Sequence, residues 1–213
     1  MRKLFFLLLA SLSLVACEKD ADMGKLDRDY LVYTNYDSKA DFHLFTTYYL
    51  PDSVLIIGNH PKAEYWKDAQ AREILAAYEA NMNQRGFVRV DKRKDADLGL
   101  QVSYVKNSYY FTAAYNQPTW WWDYPGYWDA PYWGNWGGCY YPYVVNYSYS
   151  TGSFITELLN LNVPEGKREK LPVVWSGYMT GVLSDSSVFN AQLAVRGVNQ
   201  AFCQSPYLTH INH

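Results

Sequence analysis

Three cysteines, four histidines and one close pair of carboxylates are the groups in this 213-residue chain best suited to chemistry. His43, His60, His210 and His213 are scattered, and neither His-Glu-x-x-His nor Cys-x-x-Cys spacing occurs, so the sequence predicts no metal site and no cofactor. His210 and His213 could together take up an adventitious ion, but a short terminal tail is expected to fray into solvent. Asp95 and Asp97 are spaced for general acid and base work; at a strand entrance the same pair caps a turn or faces water. No Gly-x-Ser-x-Gly elbow and no Gly-rich loop ending in Lys follows a strand. The sequence support for an enzyme is thin.

The unusual chemistry is aromatic. Six of the eight tryptophans, Trp120, Trp121, Trp122, Trp128, Trp133 and Trp136, fall in one stretch that also holds Tyr124, Tyr127, Tyr132, Cys139, Tyr140 and Tyr141. Its Pro and Gly content opposes a regular helix or long strand, so residues 118–142 read as an insertion loop between strands at Tyr109–Tyr115 and Tyr143–Tyr149. Three roles fit. The rings could stack on sugars, with Asp123, Asn135 and tyrosine hydroxyls supplying hydrogen bonds. They could form a protein interface, where Tyr and Trp give large rigid contact area. Or they could pack over the sheet or rest at a membrane interface.

Cys17 follows a different logic. Arg2 and Lys3 precede the apolar run Leu4–Ala10, which continues to Val15-Ala16 and is too short to span a bilayer. Leu14-Val15-Ala16-Cys17 resembles the processing motif of bacterial lipoproteins. The resemblance implies cleavage before Cys17 and lipid on its sulfur, with several acyl chains giving durable membrane attachment. Residues 1–16 are then a lipoprotein signal peptide and 17–28 a polar tether. The acidic start of that tether, Glu18-Lys19-Asp20, resembles surface-export signals of some bacterial lipoproteins and equally suits a solvated linker. The expected location is the bacterial cell envelope, at the outer membrane, with the leaflet open. Outside the cytoplasm Cys139 and Cys203 could form a disulfide, the alternative being two small apolar residues.

Composition agrees with one globular domain: 49% of residues are hydrophobic and 19% charged. Loss of Arg2 and Lys3 with the signal peptide moves the formal charge from -2 to -4. The largest basic cluster is Lys92-Arg93-Lys94, so nucleic acid is excluded as a main partner.

Tyr30–Tyr36 reads as a first strand, and Asp41–Pro51 as a turn passing into extended chain. Between Glu64 and Arg85, Ala71, Ile74, Leu75, Tyr78 and Met82 share one face of a helix that Gly86 ends. Leu98, Leu100, Val102 and Tyr104 alternate with Gly99, Gln101 and Ser103, predicting a strand with one face on the core and one toward polar surroundings. Leu159, Leu161 and Val163 form a further strand, a turn follows at Pro164–Lys167, and Val173–Met179 returns. Asp185-Ser186-Ser187 offers an N-cap to a closing helix with stripe Val188, Ala191, Val195, Val198 and Phe202, ended by Ser205-Pro206. The expected fold is α+β: a mostly antiparallel sheet, two amphipathic helices on one face and an aromatic-rich insertion loop. One domain spans 29–208, followed by a tail at 209–213.

The order of these features resembles the family of bacterial lipoproteins known as domain of unknown function 4136. Its pattern stands here as Tyr36-Asp37, Asp41-Phe42, Phe45 and Thr47-Tyr48, then Gly86-Phe87, Asp95-Ala96-Asp97-Leu98 and Trp175-Ser176-Gly177. The match runs from about residue 30 to 207. Where the family carries an Asp in the late hairpin turn, this chain has the longer basic loop Pro164–Leu171. The resemblance implies architecture and location and leaves activity open. The functional expectation is a lipid-anchored, non-enzymatic binding or assembly protein that contacts a protein or glycan partner through its aromatic loop. An envelope hydrolase with its site between sheet and loop is the rival. Oligomeric state is not legible.

Overall fold

The alternating segment at Leu98 forms the centre of the sheet, and both of its faces are covered. The structure, a computed structural model, describes residues 31–57, 64–106, 130–134, 136–145, 151–163, 170–181 and 190–211. Its elements are β1 (Leu31–Tyr36), β2 (Thr47–Tyr49), β3 (Val54–Ile57), β4 (Glu64–Trp66), α1 (Ala69–Gln84), β5 (Val88–Arg89), β6 (Leu98–Val105), α2 (Ala130–Trp133), β7 (Cys139–Tyr140), β8 (Ser153–Asn160), β9 (Leu171–Thr180) and α3 (Ala191–Cys203). The strands are ordered β1-β9-β8-β6-β2-β5, with β3 also on β6, β4 on β3 and β7 on β9. The fold is α+β. The long ladders β1·β9, β9·β8 and β8·β6 are antiparallel, whereas the short pairs β2·β5, β2·β6, β3·β6 and β7·β9 are parallel.

Helices α1 and α3 cover one face. All five residues of the α1 stripe, Ala71, Ile74, Leu75, Tyr78 and Met82, are buried. The helix starts later than the sequence suggests because Asp68 accepts the N–H groups of Gln70 and Ala71, while Glu64–Trp66 pair with β3 instead. At the other end Gly86 takes φ 86°, and the Phe87 N–H reaches back to the Met82 carbonyl at 3.2 Å. For α3 the expected cap at Asp185–Ser187 is replaced by Asn190, whose side chain accepts the Leu193 N–H. Its buried face is Leu193, Ala194, Gly197, Val198, Ala201 and Phe202, with Val195 half-buried and Val188 outside the described residues.

Three further expectations shift. The strand read from Leu159 begins at Ser153 and stops at Asn160, beyond which Leu161 and Val163 still pack on the sheet. The expected strand at Tyr109–Tyr115 and the turn at Pro164–Lys167 lie outside the described residues, as does most of Tyr143–Tyr149. Most consequentially, Gly99, Gln101 and Ser103 do not face water: a second apolar layer of Leu55, Ile57, Val105, Ile155, Leu159, Leu171 and Val173 lies on their side of the sheet. Among the described residues no helix is long and apolar enough to cross a membrane.

Candidate functional site

The aromatic segment supplies the cover of that second layer. Trp133, at the end of α2, and Trp136 are 2% and 6% exposed. The Trp133 ring lies on Gly99 and stands edge-on to Tyr49 at 5.9 Å. Beyond it β7 runs beside the start of β9, and the Tyr141 hydroxyl donates to Glu157 Oε1 at 2.6 Å. Tyr143 donates to Ser176 Oγ at 3.0 Å, and the Asn35 amide donates to the Val144 carbonyl at 2.7 Å. At Trp133 and Trp136 the rings therefore pack inward, burial of a ring this size being worth roughly 1.5–3 kcal/mol. Trp120, Trp121, Trp122 and Trp128 lie outside the described residues, as do Asp123, Asn135 and Cys17. Cys139 and Cys203 are both free thiols: Cys139 is buried in the second layer, Cys203 is exposed at the end of α3 on the opposite side of the sheet. Burial pushes the Cys139 thiol far up, so it stays protonated and inert.

One residue of the segment reaches a surface cleft. β2 and β3 both lie along β6, but the seven residues from Tyr49 to Leu55 face only the five from Gly99 to Ser103. The excess is extruded at Pro51-Asp52, because proline has no N–H to give a ladder. A cleft of about 360 Å³ opens there, lined by Tyr49, Leu50, Asp52, Lys67, Arg89, Val90, Asp91 and Tyr132. Lys67 Nζ is 3.3 Å from Asp52 Oδ1, and the Tyr132 hydroxyl donates to the same oxygen at 3.4 Å. Arg89 bonds the Leu50 carbonyl at 3.0 Å and pairs with Glu79. The bond to Asp52, with the neighbouring Tyr132, raises the Lys67 pKa; burial, with Tyr132 and Asp52, raises that of Tyr49. Both groups thus keep their protons at neutral pH, so the cleft presents two aromatic hydroxyls, of Tyr49 and Tyr132, and two cations beside two carboxylates.

The remaining candidates are structural or unassembled. Asp97 Oδ2 accepts the N–H groups of Thr46 and Thr47 at 2.8 and 2.9 Å, and its Oδ1 accepts the Asn162 amide at 2.9 Å. Asp95 is exposed. His210 does not fray: its N–H donates to the Arg85 carbonyl at 3.0 Å, and the His43 and His210 rings each approach the other's backbone carbonyl. His60 and His213 lie outside the described residues. Among the described residues no group of three or more His, Cys, Asp or Glu could hold a metal ion.

A family model, described as a domain of unknown function, DUF4136, matches residues 32–207. This chain belongs to the DUF4136 family. It is 54% identical to a DUF4136 family protein from Bacteroides thetaiotaomicron VPI-5482, whose crystal structure at 1.60 Å superposes with a TM-score of 0.76. That match covers 85% of this chain and 98% of the other. No curated protein matches.

In this DUF4136 domain the residues that carried the resemblance hold the fold together. Asp41 caps a short turn by accepting the His43 N–H; Phe42 and Phe45 are buried behind it. Thr47 meets Asp97, and the Tyr48 hydroxyl donates to Asn83 of α1 at 3.0 Å. The Trp175 ring covers Gly177, where a methyl would come within 3.0 Å of it, and its Nε1–H donates to Ser205. The cleft residues Tyr49, Asp52, Lys67 and Arg89 carry no local motif. The one signal that could have found them is Pro51-Asp52-Ser53 between two apolar runs, which marks a strand interrupted and resumed.

Proposed function

We propose that this DUF4136 domain is a lipid-anchored protein of the bacterial cell envelope, at the outer membrane, that binds a glycan without catalysing a reaction on it. Lipid on Cys17 and the tether behind it hold the domain at the membrane. The observation that carries the binding reading is Tyr132. The buried tryptophans fix the segment on the sheet, and α2 then brings the Tyr132 hydroxyl within bonding distance of Asp52 and Ser53 in a cleft that also holds Lys67 and Arg89. Sugar hydroxyls both donate and accept, and a mixed set of carboxylate, cation and phenol groups serves them. The cleft's volume lies at the small end of the roughly 300–1,000 Å³ of ligand sites.

The test is a glycan array with the full-length protein in detergent, beside Tyr132→Ala and a variant with Trp120, Trp121 and Trp122 changed to Ala. Binding that Tyr132→Ala removes, at unchanged melting temperature, supports the cleft. Binding lost only in the tryptophan variant moves the contact to that stretch, and no binding by the parent protein rejects the glycan. Anchoring has its own test: Cys17→Ser should abolish fatty-acid labelling and release the protein from membranes.

A hydrolase is the second reading, favoured by one observation: Asp52 and Asp91 line the same cleft. Glycan fragments released by the parent protein and not by Asp52→Asn would establish it. Asp52 is already engaged by Lys67 and Tyr132, which suits a binding carboxylate better than a proton donor.

A further inference from the structure

The second face of the sheet buries polar groups that its own packing does not use. Asn35, Ser176, Glu157 and Gln101 stand in register across β1, β9, β8 and β6. Asn35 holds Val144, Ser176 accepts from Tyr143, and Glu157 accepts from Tyr141. Gln101 Nε2 has no hydrogen-bond partner, nor has Ser103 Oγ two residues along the same face, although these residues are only 5% and 0% exposed. In the covering segment the Trp136 indole N–H is also unpartnered. Buried polar groups are nearly always paired, so three orphans in one layer require an explanation.

We infer that Gln101, Ser103 and Trp136 turn toward a common space beneath the covering segment, and that this space binds a small uncharged polyol, such as glycerol or a single sugar. Gln101 offers amide donors, Trp136 an indole donor, Ser103 a hydroxyl that works both ways, and Glu157 an acceptor. Hydroxyl groups satisfy the three orphans and can share Glu157 with Tyr141. An anion would be set beside the Glu157 carboxylate, and a cation would face the N–H donors of Gln101 and Trp136. Tyr141 and Tyr143, edge to face at 5.5 Å and half-buried, form the outer wall, with their hydroxyls on Glu157 and Ser176. The site shares no residue with the cleft at Tyr132 and does not depend on the reading given to it.

The experiment measures the melting temperature of the full-length protein in detergent against glycerol and a set of neutral monosaccharides, with acetate and ethylamine as charged controls. Polyols stabilise all proteins weakly by exclusion from the surface, so the readout is a saturable rise. At a hundredfold excess over Kd the expected rise is about 5–10 °C. Gln101→Met keeps the side chain's length and removes the unpaired amide, so it should fold with an equal or higher basal melting temperature and lose the saturable rise. Ser103→Ala reads the same loss by removing one oxygen, should the methionine disturb packing. No saturable rise with any neutral probe, or a rise that both variants keep, would overturn the proposal and leave these groups to water. A larger saturable rise with either charged control would overturn the assignment of an uncharged ligand.

Discussion

The Trp133 ring rests on the α-carbon of Gly99: a methyl group at Gly99 would meet Trp133 Cζ3 at 2.3 Å. This contact joins the aromatic segment to the central strand, and it has no room to relax without moving an indole or a strand. Gly99→Ala should therefore destabilise the domain by about 1–3 kcal/mol, the usual cost of overpacking a filled core. A second change, Trp133→Leu, removes the colliding ring. Denaturant midpoints for the two single variants and the double variant should show strong positive coupling, and simple additivity would contradict the contact.

On the helical side, Trp175 and Ser205 are linked by one buried hydrogen bond of 2.9 Å, and the Tyr207 hydroxyl lies 3.3 Å from the same serine oxygen. Ser205→Ala leaves the buried indole N–H without its acceptor, a loss of about 1–3 kcal/mol. Urea unfolding should show a lower midpoint at unchanged m, since the surface exposed on unfolding is the same.

These two contacts also show what the sequence could and could not disclose. The α1 stripe was legible to the residue because a 3.6-residue period, followed by glycine, is a local signal. The alternation of β6 was equally plain, but the polarity of Gly99, Gln101 and Ser103 pointed to an open face. What covers them is a segment distant in the chain, and no period reports such a neighbour. β3 was lost for a related reason: Pro51-Asp52-Ser53 reads as the end of a strand, whereas the chain resumes along β6 at Val54. The cleft, gathered from β2, β5, α2 and the links beside them, has no local pattern to read.

The start of the tail predicted to fray is docked. Thr209 and His210 both bond the Arg85 carbonyl left free at the end of α1, and Leu208 just before them is fully buried. A chain ending at Tyr207 should lose about 2–4 kcal/mol, by analogy with large-to-small changes at buried leucines. Amide exchange in the last turn of α1 should accelerate; an unaltered exchange pattern would show that the docked tail adds nothing.

The two cysteines of the domain should differ in reactivity. Cys203 is exposed on α3, whereas Cys139 is enclosed and held as the thiol by burial. Maleimide should label Cys203 within minutes in the native protein and Cys139 only after unfolding. Mass spectrometry of the labelled peptides decides it, and equal labelling without denaturant would mean that the second layer opens readily.

Asp97 should make the domain's stability depend on acid. Burial pushes its carboxyl up, but bonds from Asn162, Thr46 and Thr47 outweigh this and hold its pKa below the ordinary value. Where the folded pKa is the lower one, the contribution is fully present above the unfolded value of about 3.9. As the pH falls below that value the unfolded chain binds its proton first, and the contribution fades until the folded carboxyl is protonated too. Asp97→Asn keeps the shape but replaces an acceptor of two backbone N–H groups with an uncharged amide. It should cost about 1–2 kcal/mol at pH 7 and progressively less below pH 4, whereas Asp95→Asn, on an exposed neighbour, should cost little at either pH. Urea midpoints of the three proteins from pH 7 down to pH 2.5 test this. A deficit of Asp97→Asn that stayed constant through that range would show that charge is not what binds the β2 entrance to β6.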